Sequence, residues 1–108
     1  LALPPLLPAR EAAAQDTVRA CIINSAGLII RSRFHYTAGG VMYECAWVTS
    51  ALGGQNCVTL QGLTALRLDV EKSDFTWKHQ CRRDVLPNRN VTLTVNGTGF
   101  SADCNVQQ

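Results

Sequence analysis

The sequence predicts an all-β fold, a small antiparallel β-sandwich of about seven to eight short strands behind an extended N-terminal arm. Three observations predict it. From Thr17 onward, apolar and polar residues alternate at period two, as in a half-buried strand. Clusters of Gly, Asn, Ser and Pro break the alternation at near-regular spacing. No segment sustains the 3.6-residue period of an amphipathic helix.

Residues 1–16 form the arm, rich in Leu, Pro and Ala, and residues 17–108 form one domain. The arm has no strand alternation, and its prolines favour an extended path. Ala12-Ala13-Ala14 looks like the small-residue end of an export signal.

The strands follow in order. Thr17–Asn24 puts Val18, Ala20 and Ile22 on one face, and Asn24-Ser25-Ala26-Gly27 turns the chain. Leu28–Thr37 points Ile30, Ser32, Phe34 and Tyr36 one way and Arg31, Arg33, His35 and Thr37 the other. Val41–Thr49 aligns Val41, Tyr43, Cys45 and Trp47, and Asn56–Leu60 is short. Leu63–Glu71 turns Leu66, Leu68 and Val70 inward and Arg67, Asp69 and Glu71 outward. Phe75–Cys81 aligns Phe75, Trp77, His79 and Cys81 on one face. Val91–Val95 and Phe100–Val106 complete the set.

Five cysteines, at 21, 45, 57, 81 and 104, contain no CxxC pair, so zinc ligation is not expected. All five fall in strand-like segments, which points to disulfides and an oxidising compartment. A hairpin across Ser50–Gly54 would oppose Cys45 and Cys57, so that pair is expected first. Cys81–Cys104 is expected second, with Cys21 left over. Two sequons, at Asn90 and Asn96, are candidate glycosylation sites and fit secretion. The thylakoid lumen is the alternative compartment, because its targeting peptides end in the same small residues.

A net charge of +2 excludes a strongly basic nucleic-acid binder, and no stretch approaches the ~20 apolar residues of a transmembrane helix. Membrane-peripheral association stays open. For catalysis, the sequence offers His35, His79 and the Asp69/Glu71 pair, with no G-x-S-x-G elbow and no P-loop. His79 and Cys81 are too few ligands for a metal, and no cofactor is expected. Tyr36, Tyr43, Trp47 and Trp77 could stack sugars, but their apolar faces assign them to the core.

The candidate partner-binding residues are Leu3, Pro4, Pro5, Leu6 and Leu7 of the arm, the stripe Arg31, Arg33 and His35, and Arg82 and Arg83. Arginine suits interface ion pairs and bidentate contacts. The expected function is therefore non-enzymatic: a peripheral subunit of a larger extracytoplasmic or lumenal assembly, docking on other protein subunits through these residues. A secreted module binding carbohydrate or anionic glycan is the second expectation, and a small hydrolase the third.

Overall fold

The alternating stretches fold as nine strands in two stacked sheets in the computed structural model, which describes residues 16–98 and 101–108. The strands are β1 (Thr17–Ala26), β2 (Ile30–Ala38), β3 (Val41–Glu44), β4 (Val48–Ser50), β5 (Gln55–Gln61), β6 (Leu63–Asp74), β7 (Thr76–Val85), β8 (Val91–Gly97) and β9 (Asp103–Gln107). The first sheet runs β5-β1-β8-β9. The second runs β3-β2-β6-β7, with β4 also paired to β2. Pairing is antiparallel except between β1 and β8, which run parallel. The arm residues Leu3, Pro4, Pro5, Leu6 and Leu7 lie outside the described residues.

Alternation builds the core. Val18, Ala20 and Ile22 of β1 and Val91, Leu93 and Val95 of β8 face Ile30, Phe34, Leu66, Leu68 and Val70 of the second sheet, all buried. Such inward faces pack about 10 Å apart and exclude water. Two buried polar residues are satisfied locally. Asn56 donates from Nδ2 to the Ser32 carbonyl at 3.3 Å and to Ser32 Oγ at 3.2 Å, bridging the sheets. Asn24, fully buried, donates to the carbonyls of Leu28 (2.8 Å) and Ser50 (3.1 Å) and accepts from the Ala26 amide (3.0 Å). It knots three chain segments at the end where β1 hands over to β2.

Two interruptions of the alternation correct the sequence reading. The stretch expected as one strand over Val41–Thr49 is split into β3 and β4. His35 pairs with Glu44 and Ser32 with Val48, so Cys45, Ala46 and Trp47 oppose only Arg33 and Phe34. One residue too many must bulge, and the single rung kept is Cys45 N–H to the Phe34 carbonyl, 2.9 Å. In β7, Val70 pairs with Cys81 but Glu71 with His79, leaving Gln80 unpaired. That bulge inverts the facing of everything before it. Cys81 stays buried, whereas Trp77 and His79 turn to the outside.

The disulfides follow from register. The turn at 51–54 crosses between sheets instead of closing a hairpin, since β4 pairs with β2 and β5 with β1. The expected Cys45–Cys57 pair is thereby excluded. Cys57 lies opposite Cys21 at a Cα–Cα distance of 4.1 Å and bonds to it, and Cys45 is free. Cys81–Cys104 forms as expected and ties β7 to β9, one strand from each sheet. Burial pushes the Cys45 thiol pKa up, against a smaller opposing effect of its backbone hydrogen bond to Phe34.

Asn24→Ala should lower stability by roughly 2–3 kcal/mol, because it strands two carbonyls and an amide at a buried site. A denaturant midpoint that does not move would show the knot to be dispensable. Unfolded without reductant, the chain should titrate as one thiol, lost in Cys45→Ser. More than one thiol would contradict the pairing described.

Candidate functional site

The outward residues of the second sheet form a lattice of alternating charge. Cross-strand register sets Arg31 beside Glu71, Arg33 beside Asp69 and His35 beside Arg67 on β2 and β6. On β7 it sets Asp84 beside Arg67 and Arg82 beside Asp69, and on β3 it sets Glu44 beside His35. Opposite charges facing across strands support the pairing. Arg31 Nε donates to Glu71 Oε1 at 2.6 Å, Arg67 Nε donates to Asp84 Oδ1 at 2.7 Å, and Arg33 bonds to Glu44.

Asp69 sits at the centre with its side chain only 3% exposed. Its Oδ2 lies 3.7 Å from Arg33 Nε, 3.6 Å from His35 Nε2 and 3.5 Å from an Arg82 terminal nitrogen. These contacts are long for hydrogen bonds, so Asp69 acts mainly as a shared counter-charge. It was expected on a solvated face; the arginines that flank it cover it. On the exposed rim, the hydrogen bond from Arg67 holds the Asp84 carboxyl below its ordinary pKa.

The two bulges add aromatic rings to this lattice. The Arg31 guanidinium lies 4.4 Å from the Trp47 ring centre and 4.8 Å from that of Trp77, and Arg33 lies 4.1 Å from Trp47. Arg31 is thus held between two indoles as well as by Glu71, a cation–π arrangement. The core placement expected for Trp47, Trp77 and Tyr43 is therefore wrong. A bulge aims each tryptophan outward, and Tyr43 sits on edge strand β3, 46% exposed and stacked on Tyr36 at 4.9 Å. Alternation alone cannot signal a one-residue insertion, which is why the sequence reading missed both indoles.

Several candidates are not brought together. Arg82 and Arg83 are neighbours on a strand and so diverge. Arg82 joins Asp69, while the Arg83 side chain bonds to the Arg82 carbonyl. Asp69 is surrounded by basic partners and Glu71 is engaged by Arg31, so the pair is not arranged as free acid and base. His79 is exposed on the outer face, not among apolar neighbours as expected. Among the described residues no cluster of His, Cys, Asp and Glu could hold a metal ion. Asn90 accepts from the Arg19 amide at 2.9 Å, and Asn96 lies exposed on β8.

A second surface occupies the turn end. The turns β1–β2, β4–β5 and β6–β7 gather there, joined by hydrogen bonds from Ser73 N–H to the Ile29 carbonyl (3.0 Å) and from Gly53 N–H to the Asn24 carbonyl (2.7 Å). Each turn presents a large apolar side chain: Ile29 (49% exposed), Leu52 (68%) and Phe75, which is fully exposed. Phe75 also has a left-handed backbone, φ 63°. For a bulky residue that conformation costs about 1–2 kcal/mol, and here the ring gains no packing in return. Trp77, 37% exposed, stands behind it on the same hairpin. The start of β1 and the end of β9 lie at the opposite end of the sandwich.

Asp69→Asn should destabilise by about 2 kcal/mol, since Arg33 and Arg82 lose their common counter-charge. Glu71→Gln should cost less than about 1 kcal/mol, because the indoles still hold Arg31. Equal effects would show that Asp69 is not the centre of the lattice.

No family model matches the chain, and no curated protein matches it. Its fold is similar to solved structures of toxins. The cytotoxin suilysin from Streptococcus suis superposes with a TM-score of 0.69 at 12% identity, over 85% of this chain and 23% of that one. Listeriolysin O gives 0.66 at 11%, over 84% of this chain and 22% of that one. This chain therefore spans about a quarter of the length of those toxins. The membrane-binding domain of pneumolysin, solved alone, gives 0.68 at 13% identity, over 85% of this chain and 96% of that domain. At such identities the likeness shows a shared fold.

Proposed function

We propose that this chain is a non-enzymatic binding module that docks peripherally on a lipid surface through its turn end. The observation that carries the reading is Phe75: a fully exposed ring on a strained backbone, beside two more exposed apolar side chains on adjacent turns. Apolar side chains gathered at one place on a surface mark an interaction site. Here they sit on convex turns, as insertion into a bilayer interface requires, with an indole behind them at the depth that tryptophan favours. The fold likeness to a domain described as membrane-binding supports the same end use. No helix among the described residues is long and apolar enough to cross a membrane.

Two disulfides fit an oxidising, extracytoplasmic compartment, and secretion is the proposed setting. The thylakoid lumen has no support from the fold or the comparisons. The assembly-subunit expectation placed docking on the arm and the arginines. The arginine stripe is engaged internally by Glu44, Asp69 and Glu71, which moves the proposed contact to the turns.

A second reading, glycan binding, rests on a cavity of about 280 Å³ at the other end of the lattice, lined by Tyr43, Glu44, Arg67 and Asp84 among others. A tyrosine face beside charge-neutralised hydrogen-bonding groups suits a neutral sugar more than an anionic one. A glycan array without hits would remove it.

The main reading is tested with Phe75→Gly. Burying a phenylalanine is worth about 1.5–3 kcal/mol, so vesicle affinity should fall at least about tenfold. Stability should rise by about 1 kcal/mol as the left-handed strain is relieved. Loss of binding with gain of stability separates a docking residue from a structural one. Failure of the unmodified chain to co-sediment with any vesicle would overturn the reading. Loss of association with a protein partner on deleting residues 1–15, with vesicle binding absent, would restore the assembly-subunit function.

A further inference from the structure

Strand β3 carries three large apolar residues in succession, Val41 (50% exposed), Met42 (85%) and Tyr43 (46%). Successive side chains leave a strand on opposite faces, so this strand is uncovered on both. Among the described residues β3 pairs with β2 alone and lies at the margin of its sheet. The two-residue turn Gly39-Gly40, left-handed at both positions (φ 58° and 75°), fixes which backbone groups that margin offers. It closes on the pair Ala38–Val41, so Val41 and Tyr43 bond to β2, and the N–H and C=O of Met42 and Glu44 point away from it. Cys45 N–H, next in the same alternation, bonds inward to the Phe34 carbonyl. A free ladder edge flanked by apolar side chains is a template for another strand.

We infer that this edge pairs with β3 of a second copy, antiparallel, with Met42 opposite Met42. The other margins match it poorly. On β7 the edge is charged, and the Arg83 side chain bonds to the Arg82 carbonyl. On β5 and β9 the exposed residues are Gln55, Thr59, Gln61, Asp103, Asn105 and Gln107. Pro4, Pro5 and Pro8 of the N-terminal arm have no N–H to give a ladder. By contrast β3 is complementary to itself. In the register centred on Met42, Val41 of each copy faces Tyr43 of the other, and Glu44, already bonded to Arg33, faces a glycine, Gly40. Centring on Tyr43 would set each Glu44 against an apolar Met42, and centring on Glu44 would oppose two carboxylates. The contact is isologous and twofold.

The twofold axis of such a pair stands perpendicular to the sheet and reverses the strand direction. The turn ends of the two copies therefore point in opposite directions. On the lipid-docking reading, on which this consequence alone rests, the dimer bridges two bilayers. A four-residue edge buries less than the ~800 Å² per partner of a standard interface, so the dimer is weak, with a Kd on the order of 0.1 mM.

Sedimentation equilibrium of the full chain should show self-association between roughly 10 µM and 1 mM. Met42→Lys should leave the thermal midpoint unchanged, the side chain being exposed, and should weaken the dimer roughly tenfold, because two ammonium groups then face each other. In a Cys45→Ser background, Met42→Cys should crosslink to its own mate under mild oxidation faster than Tyr43→Cys or Leu52→Cys. Opposed Met42 positions are about 5.5 Å apart at Cα, whereas the two Tyr43 positions are offset by two residues, beyond the ~7 Å limit of a disulfide. Vesicles of phosphatidylcholine should cluster with the unmodified chain and bind Met42→Lys without clustering. A chain monomeric throughout the range leaves the edge to a strand of a different protein and overturns the inference. Self-association undiminished in Met42→Lys, or equal crosslinking from all three positions, also overturns it. Self-association with no vesicle binding overturns the docking reading instead and leaves the dimer standing.

Discussion

Two sheets close over a core that is one side-chain layer thick from each side, and this closure constrains everything else. A strand in such a sandwich has one face with no access to water, so its side chains must alternate. Where an inward residue is polar, a partner is supplied: Asn56 for Ser32, and the Leu28 and Ser50 carbonyls for Asn24. The Cys81–Cys104 bond holds β7 and β9 across the layer. The outer faces and turn ends are released from this constraint, and both candidate surfaces are built there.

The β-bulges convert that freedom into a specific surface. Each inserts one residue beside the charged face, at Cys45–Trp47 and at Gln80, and each turns a tryptophan toward Arg31. Four guanidinium groups then interleave with four carboxylates, those of Glu44, Asp69, Glu71 and Asp84. Charge so engaged stiffens a sheet more than it attracts a distant partner. The arginine stripe is in this sense a scaffold.

The sandwich thus divides its labour along the strands. Asn24 ties the crossing segments together inside the turn end, and Ile29, Leu52 and Phe75 stand exposed on the outside of those turns. A rigid base carrying exposed anchors, one of them the left-handed Phe75, is what docking on a soft interface favours, because little conformational entropy is then lost on contact.

The all-β class, most strand positions and the inward faces of β1, β2, β6 and β8 were legible in the sequence, because period-two alternation is a local property that burial enforces directly. The outward facing of Arg31, Arg33 and His35 was legible for the same reason. Which outward charges meet, which cysteine opposes Cys57 and which way Trp47 and Trp77 point depend on strand order and on two insertions of a single residue. Neither leaves a mark in composition or period. The gathering of Ile29, Leu52 and Phe75 at one end belongs to the same category: 46 residues separate the first from the last, and only the stacking of the sheets brings their turns together.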